Sequence, residues 1–127
     1  MPVQSNLTLN TKVYAPRGKT NGDIANWALA GDTTFGGATS VVTERVTGPS
    51  KEGVNRVTFK LTIPKAAAAD TTCACVGEEI AKAIASLEVV IPSAFTLAER
   101  TDLRLRLQGL VANAIMTAAI DNLETSW

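Results

Sequence analysis

Residues 55–63 read NRVTFKLTI, and this stretch decides the fold class. Apolar side chains occupy alternate positions, Val57, Phe59, Leu61 and Ile63, and polar side chains stand between them. A period of two is typical of a β-strand, because successive side chains point to opposite faces of a sheet. The pattern therefore predicts a strand with one face against a core and the other against solvent or a ligand.

A second strand precedes this stretch. Residues 39–47 are β-branched and roughly alternating, and residues 48–53 read GPSKEG, which is typical of a turn. The two strands are expected to form an antiparallel pair, and Pro64 is expected to end the second of them.

Three further segments complete the predicted sheet. Residues 1–22 indicate an N-terminal hairpin, with Pro16-Arg17-Gly18 as one of its turns, and residues 24–30 indicate a short strand in which Trp27 anchors the core. Residues 80–91 alternate again and predict a last long strand.

The C-terminal part has helical spacing. Thr96 and Glu99 form a capping box that opens a helix, and Asn113 marks its break from a second, shorter helix. Each helix is expected to carry an apolar stripe. The stripe residues are Leu103, Leu107, Leu110 and Val111 in the first helix and Ile115, Met116, Ala119, Ile120 and Leu123 in the second. Strands followed by helices indicate the α+β class.

Length and composition favour a single domain, residues 1–127, that pairs with a second copy. The chain has 127 residues and is 46% hydrophobic, but only six side chains are aromatic. A core this poor in aromatic residues is easier to stabilise when further apolar surface is buried against another subunit. The first ten residues resemble no secretory signal, so we expect a soluble protein made in the cytosol.

The charge pattern is uneven although the net charge is zero. Residues 1–65 carry eight basic and four acidic side chains, and residues 66–127 carry four basic and eight acidic ones. This predicts one basic and one acidic face. The chain contains no histidine, which removes the usual general base and the commonest metal ligand, so we expect neither an enzyme nor a metal or cofactor site.

The polar positions of the central strands are the candidate binding residues. Cations that pair with phosphates alternate there with small hydroxyls that bond base edges, a combination that suits RNA. The alternative is an ordinary solvated sheet face. The candidates are Thr43, Arg45, Thr47, Arg56, Thr58, Lys60, Thr62, Lys82 and Ser86.

Cys73 and Cys75 lie in a loop of small residues at 65–79, which is long for a hairpin. Two thiols without histidine cannot complete a tetrahedral metal site, and their spacing is unfavourable for a bridge between them. Two interpretations stay open: disulfides to neighbouring chains, or two free thiols.

Taken in order, these segments resemble the coat proteins of single-stranded RNA bacteriophages, the levivirus group. The resemblance runs from about Tyr14 to the C-terminus and rests on the order and spacing of several segments together. They are YAPRG at 14–18, IANWALAG at 24–31, RVTGPS at 45–50, NRVTFKLTIP at 55–64, and ER at 99–100 through AIDNL at 119–123.

The resemblance implies an N-terminal hairpin, a five-stranded antiparallel sheet and two C-terminal helices that cross the partner's sheet in an interlocked homodimer. The dimer core would include Leu103, Leu107, Leu110, Ile115 and Ile120. Dimers would close into a T=3 icosahedral shell around genomic RNA, and the sheet would bind an RNA hairpin as translational repressor and packaging signal. The protein would be located in the virion, which would assemble in the cytoplasm of the bacterial host. It would have no membrane or small-molecule partner.

Two positions depart from the family pattern. Ile84 stands where well-studied members have a base-stacking tyrosine, and Ser86 where some relatives have asparagine. Thr43 and Thr58 match the threonines that line the family's adenine pockets.

The alternative function is a small dimeric nucleic-acid-binding module that forms no particles.

Overall fold

The computed structural model describes residues 3–20, 23–30, 40–66 and 79–126. The strands are β1 (Leu7–Leu9), β2 (Lys12–Thr20), β3 (Ile24–Leu29), β4 (Val41–Thr47), β5 (Val54–Ala66) and β6 (Glu79–Pro92). The helices are α1 (Leu97–Val111) and α2 (Ala114–Asp121). Neither of these helices has the length and apolar content needed to span a bilayer.

Within the described residues, the six strands form one antiparallel sheet in sequence order, β1 to β6. The predicted fold class is confirmed, with one more strand in the sheet than expected. The N-terminal hairpin is not a separate element, because β2 pairs with β3 from Tyr14 opposite Leu29 to Thr20 opposite Ile24. It therefore extends the sheet.

The sheet belongs to the first of two compact units, Met1–Val90, and its core lies on one face of the strands. Tyr14, Trp27 and Val42 are buried there, and Leu61 packs against them. The Tyr14 hydroxyl lies 2.8 Å from the Ser40 hydroxyl, which donates to the Thr62 carbonyl at 2.8 Å. These bonds satisfy two buried hydroxyls and connect β2 to the residue before β4 and, through it, to β5.

The turn between β4 and β5 needs glycine at position 48. Gly48 has φ +130°, and a Cβ there would lie 2.8 Å from the Asn55 Cα. The turn is closed by bonds from the Ser50 N–H to the Val54 carbonyl and from the Gly53 N–H to the Ser50 carbonyl. A tight turn of this kind fixes the register of the two strands it joins.

Two predicted breaks lie inside strands. β5 continues through Pro64 to Ala66, because the φ of proline is compatible with extended backbone and only one donor is lost. Pro16-Arg17-Gly18 likewise lies within β2, where the register with β3 shifts between Pro16 and Lys19. A local shift in register absorbs the irregular residues without ending the strand.

The second unit, Ile91–Trp127, contains both helices, which begin where Thr96 and Asn113 predicted. Leu123 was expected in the second helix, but α2 ends at Asp121 and Leu123 has φ +58°, which is outside the helical region. The Thr96 hydroxyl accepts from the Glu99 N–H at 3.3 Å and donates to the Glu99 carboxylate at 3.2 Å. Asn113 caps α2, since its side-chain oxygen accepts from the Ile115 N–H at 3.0 Å. Both caps satisfy backbone donors that have no partner inside the helix.

Candidate nucleic-acid interface

The strand register brings the predicted polar positions of β4 and β5 together. In an antiparallel pair, directly opposed side chains lie on the same face about 5 Å apart. The opposed pairs are Thr43 with Lys60, Arg45 with Thr58, Thr47 with Arg56 and Val41 with Thr62. We call this surface the polar face.

The ion pair between Arg56 and Glu88 extends the polar face to β6. The Arg56 guanidinium lies 2.9 Å from the Glu88 carboxylate, so the two side chains share a face. Because side chains alternate along a strand, Lys82, Ile84 and Ser86 lie on that face as well. All nine predicted binding residues therefore occupy one side of the sheet.

Charge and exposure differ along this face in a regular way. Arg45, Arg56 and Lys60 are exposed, whereas Thr43 and Thr58 are half-buried between them. Exposed cations can reach a phosphate backbone, and recessed hydroxyls leave room for an unstacked base. The arrangement has the chemistry of a single-stranded RNA surface.

Three of the four polar-face cations form no ion pair within the described part of the chain. They are Arg45, Lys60 and Lys82, while Arg56 is paired with Glu88. The neighbouring acid Glu44 points to the other face, since it is opposed to Phe59. Arg45, Lys60 and Lys82 therefore provide the available positive charge of the polar face.

Sequence reasoning placed Glu88 on the polar face of the last strand together with Lys82 and Ser86, but it missed Asn26. Asn26 lies opposite Thr43 across β3 and β4, which brings a third strand into the surface. Glu88 is a polar-face carboxylate that binds a cation. The alternation around Trp27 would have identified Asn26, but the pairing of Glu88 depends on a cross-strand register that no local pattern contains.

The opposite face of the same strands is apolar and partly bare. We call it the apolar face; it continues the side that contains Trp27 and Val42. Exposure there is 54% at Val46, 36% at Phe59, 51% at Ile63 and 38% at Leu87. Exposed apolar side chains on one face of a sheet are typical of a contact surface.

A cleft of about 480 Å³ also opens on the side of Trp27. Its lining includes Lys19, Asp23 and Glu44 beside Ala25 and Trp27. The cleft therefore lies on the side of the sheet opposite the polar face.

The predicted dimer-core residues lie on the two helices with much of their surface free. Leu103 and Leu107 are half-buried, and Leu110, Ile115 and Ile120 are 56%, 59% and 64% exposed. Neither helix has a buried residue. Cys73 and Cys75 lie outside the described residues.

The fold matches solved structures of RNA phage coats. The virus-like particle of Beihai levi-like virus 21 matches over 99% of both chains, with a TM-score of 0.87 at 16% identity. The virus-like particle of bacteriophage ESE058 matches over 99% of this chain and 100% of that one, with a TM-score of 0.80 at 17% identity. The bacteriophage GA protein capsid matches over 91% and 86%, with a TM-score of 0.71 at 23% identity. These likenesses define the fold as that of RNA phage coat proteins.

The sequence identifies the family. The family model described as "Levivirus coat protein" matches residues 4–127, while no curated protein matches the chain. The chain therefore belongs to the levivirus coat protein family, and its role is that of a structural capsid protein. The resemblance drawn from the sequence is confirmed.

Proposed function

We propose that residues 1–127 act as one coat protein domain that forms an obligate homodimer, closes into a T=3 icosahedral shell around single-stranded genomic RNA, and binds an RNA hairpin on the polar face. The observation that carries the RNA part is the cross-strand register of β4 and β5, which alternates cations and threonines on one surface. Hairpin binding would repress translation and select the genome for packaging.

The polar face supports RNA binding by two kinds of contact. Lys60 and Arg45 would pair with phosphates, and Thr43 and Thr58 would bond the edges of unpaired bases between them. Arg56, Thr47, Thr62, Lys82 and Ser86 would border that central set.

Ile84 changes how a base is held on β6. An aromatic ring under a base contributes about 1–3 kcal/mol, and a branched aliphatic side chain offers apolar contact without π-stacking. We therefore propose that base recognition rests more on the hydroxyls of Thr43, Thr58 and Ser86.

The bare apolar surfaces support the homodimer. The apolar face exposes Val46, Phe59 and Ile63, and the helices expose Leu110 and Ile115. In a homodimer, the helices of one subunit would cover the apolar face of its partner, and both exposed apolar surfaces would then be buried. An interface of this kind is obligate because its surfaces resemble a core divided between two chains.

Assembly would take place in the bacterial cytoplasm, and the protein would then reside in the virion. It would need no cofactor, membrane or small-molecule substrate, and it would catalyse no reaction. Its partners would be its own copies and the RNA.

RNA hairpins selected from a random pool on wild-type dimers test the polar face. Thr58→Ala and Lys60→Ala should each weaken the selected hairpin about fivefold to 100-fold, the range of one to three kcal/mol for a specific contact, while particles still form. Lys51→Ala, in the β4–β5 turn, is the matched control and should bind as wild type. Unchanged affinity in both polar-face variants would show that RNA binds elsewhere.

The two cysteines have a separate test, because their structural setting is not described. If Cys73 and Cys75 link neighbouring subunits, purified particles will run as a ladder on a gel without reductant and as a monomer with it. A monomer band under both conditions excludes the linkage.

A further inference from the structure

Glu44 is a carboxylate on the apolar face. It stands opposite Ala25 on β3 and opposite Phe59 on β5, so the three side chains share that face. Along β4 the same face carries Val42, which is buried, and Val46, which is 54% exposed. Glu44 is itself half-buried and forms no ion pair within the described residues. A charged side chain therefore lies unpaired in the surface that the proposed dimer covers.

The cleft beside Trp27 shows the same imbalance of charge. Glu44 and Asp23 line it together with Lys19, so two carboxylates face one ammonium group. Lys19 stands opposite Ala25, which stands opposite Glu44, so two strand spacings, about 10 Å, separate the lysine from Glu44. The two side chains form no ion pair. This part of the apolar face therefore retains a negative charge that a second molecule can balance.

The first helix presents an arginine inside its own apolar stripe. At about 3.6 residues per turn, Arg100 lies about 20° from Leu107 around the axis of α1 and about 20° from Val111 on its other side. Arg100 is exposed and forms no ion pair within the described residues. Its Nε donates to the Thr96 carbonyl at 3.4 Å, which uses one of the guanidinium N–H groups. A cation near a helix N-terminus is opposed by the macrodipole, so the charge of Arg100 does not stabilise its own helix.

We propose that Glu44 forms an ion pair with the partner's Arg100, and that this pair sets where α1 of one subunit lies on the apolar face of the other. The inference rests on the proposed homodimer, in which the helices of one subunit cover that face. In a two-fold dimer the contact occurs twice. A carboxylate buried without a cation is strongly unfavourable, so positions of the helix that leave Glu44 unpaired are disfavoured. The apolar side chains supply most of the contact, and the ion pair supplies its register.

A double-mutant cycle on the dimer measures the pair. Glu44→Gln and Arg100→Gln should each lower the equilibrium constant for forming the folded dimer about 100-fold, which is about tenfold for each of the two pairs. The double variant should lose much less than the product of the two single losses, because neither charge is then left unpaired. Urea unfolding at one fixed subunit concentration gives the constants. Losses that simply multiply would overturn the proposal.

Three other cations serve as controls for the cycle. Arg106 lies on α1 outside the stripe and pairs with a carboxylate of its own helix at 2.9 Å, so Arg106→Gln should show no coupling to Glu44→Gln. Lys19→Gln tests the lysine that shares the cleft, and Arg104→Gln tests the arginine one turn further along α1. Coupling of Glu44→Gln to either of these in place of Arg100→Gln would overturn the proposal.

Charge reversal in two co-expressed chains shows whether the pair joins subunits. A homodimer of Glu44→Arg brings two guanidinium groups together at each contact, and a homodimer of Arg100→Glu brings two carboxylates together, so each chain alone should give little soluble dimer. A dimer with one chain of each kind restores both pairs. Native mass spectrometry of the dimers, released from particles where particles form, should therefore find more mixed dimer than random mixing gives. A random ratio, or no gain of soluble protein on co-expression, would overturn the proposal.

Failure of this inference differs from failure of the proposed homodimer. If wild type unfolds as a dimer with concentration-dependent stability while Glu44→Gln and Arg100→Gln show no coupling, the homodimer stands and the ion pair is refuted. If wild type is a folded monomer at every concentration, both proposals are overturned.

Discussion

The two faces of β4 and β5 differ in chemistry although they belong to the same two strands. One face alternates threonines with Arg45, Arg56 and Lys60, and the other presents Val46 and Phe59. A single-chain enzyme would bury the second face in its own core and build a pocket on one of them. Here the described residues of both faces leave large surfaces exposed, as the proposed function requires, with RNA on one side and a partner subunit on the other.

Leu107→Asp is expected to have the largest effect, because it tests the apolar contacts of the proposed dimer. A buried, unpaired carboxylate at the proposed dimer core costs several kcal/mol, so soluble dimer and particles should disappear. Size exclusion and far-UV circular dichroism measure the result.

Leu105→Asp is its control on the same helix. Leu105 is 53% exposed and lies about 200° around α1 from Leu107. It should assemble as wild type. A folded, soluble monomer of Leu107→Asp would refute the interlocked dimer.

Phe59→Ala and Lys60→Ala compare neighbouring residues on the two faces directly. If the partner covers Phe59, its truncation should lower the free energy of unfolding by about 3 kcal/mol, as for a core aromatic residue. Lys60→Ala should change it by less than about 0.5 kcal/mol. Urea unfolding at one fixed subunit concentration measures both, since the stability of an obligate dimer depends on concentration. Equal, small effects would mean that the apolar face stays uncovered.

Much of the sheet was predictable because the period of two in residues 55–63 is unambiguous. The polar and apolar members of β5 follow from that alternation alone, and the β4–β5 register follows from the turn at 48–53. The predictions that Pro64 ends a strand and that Pro16 lies in a turn were wrong, because proline removes a hydrogen-bond donor without forbidding extended backbone. The pairing of β2 with β3, the next strand along the chain, was missed because Pro16-Arg17-Gly18 was interpreted as a turn, whereas the strand continues to Thr20.

The helices show the same division between local and long-range information. Thr96 and Asn113 are local caps, and their positions predicted correctly where α1 and α2 begin, whereas the second helix ends before Leu123, which was expected within it. What their apolar residues contact depends on assembly, so the sequence supplied a candidate dimer core only through family resemblance. The Arg56–Glu88 pair was likewise beyond a one-strand pattern.

Thr96→Ala is expected to have the smallest of these effects. Loss of the cap should lower stability by about 1 kcal/mol, because the Glu99 N–H loses its acceptor. The control is Thr101→Ala, whose hydroxyl bonds a Leu97 carbonyl that a helical N–H already satisfies. Urea unfolding should place Thr101→Ala within about 0.5 kcal/mol of wild type. Equal losses in both variants would indicate that the cap is not the cause.

Electron microscopy with size exclusion on the chain expressed alone in bacteria tests the central claim most directly. The account predicts uniform round particles that contain host RNA, since under the proposed function assembly would need only copies of this chain and the polar face would bind RNA. A dimer that remains a dimer at every salt and protein concentration would contradict it.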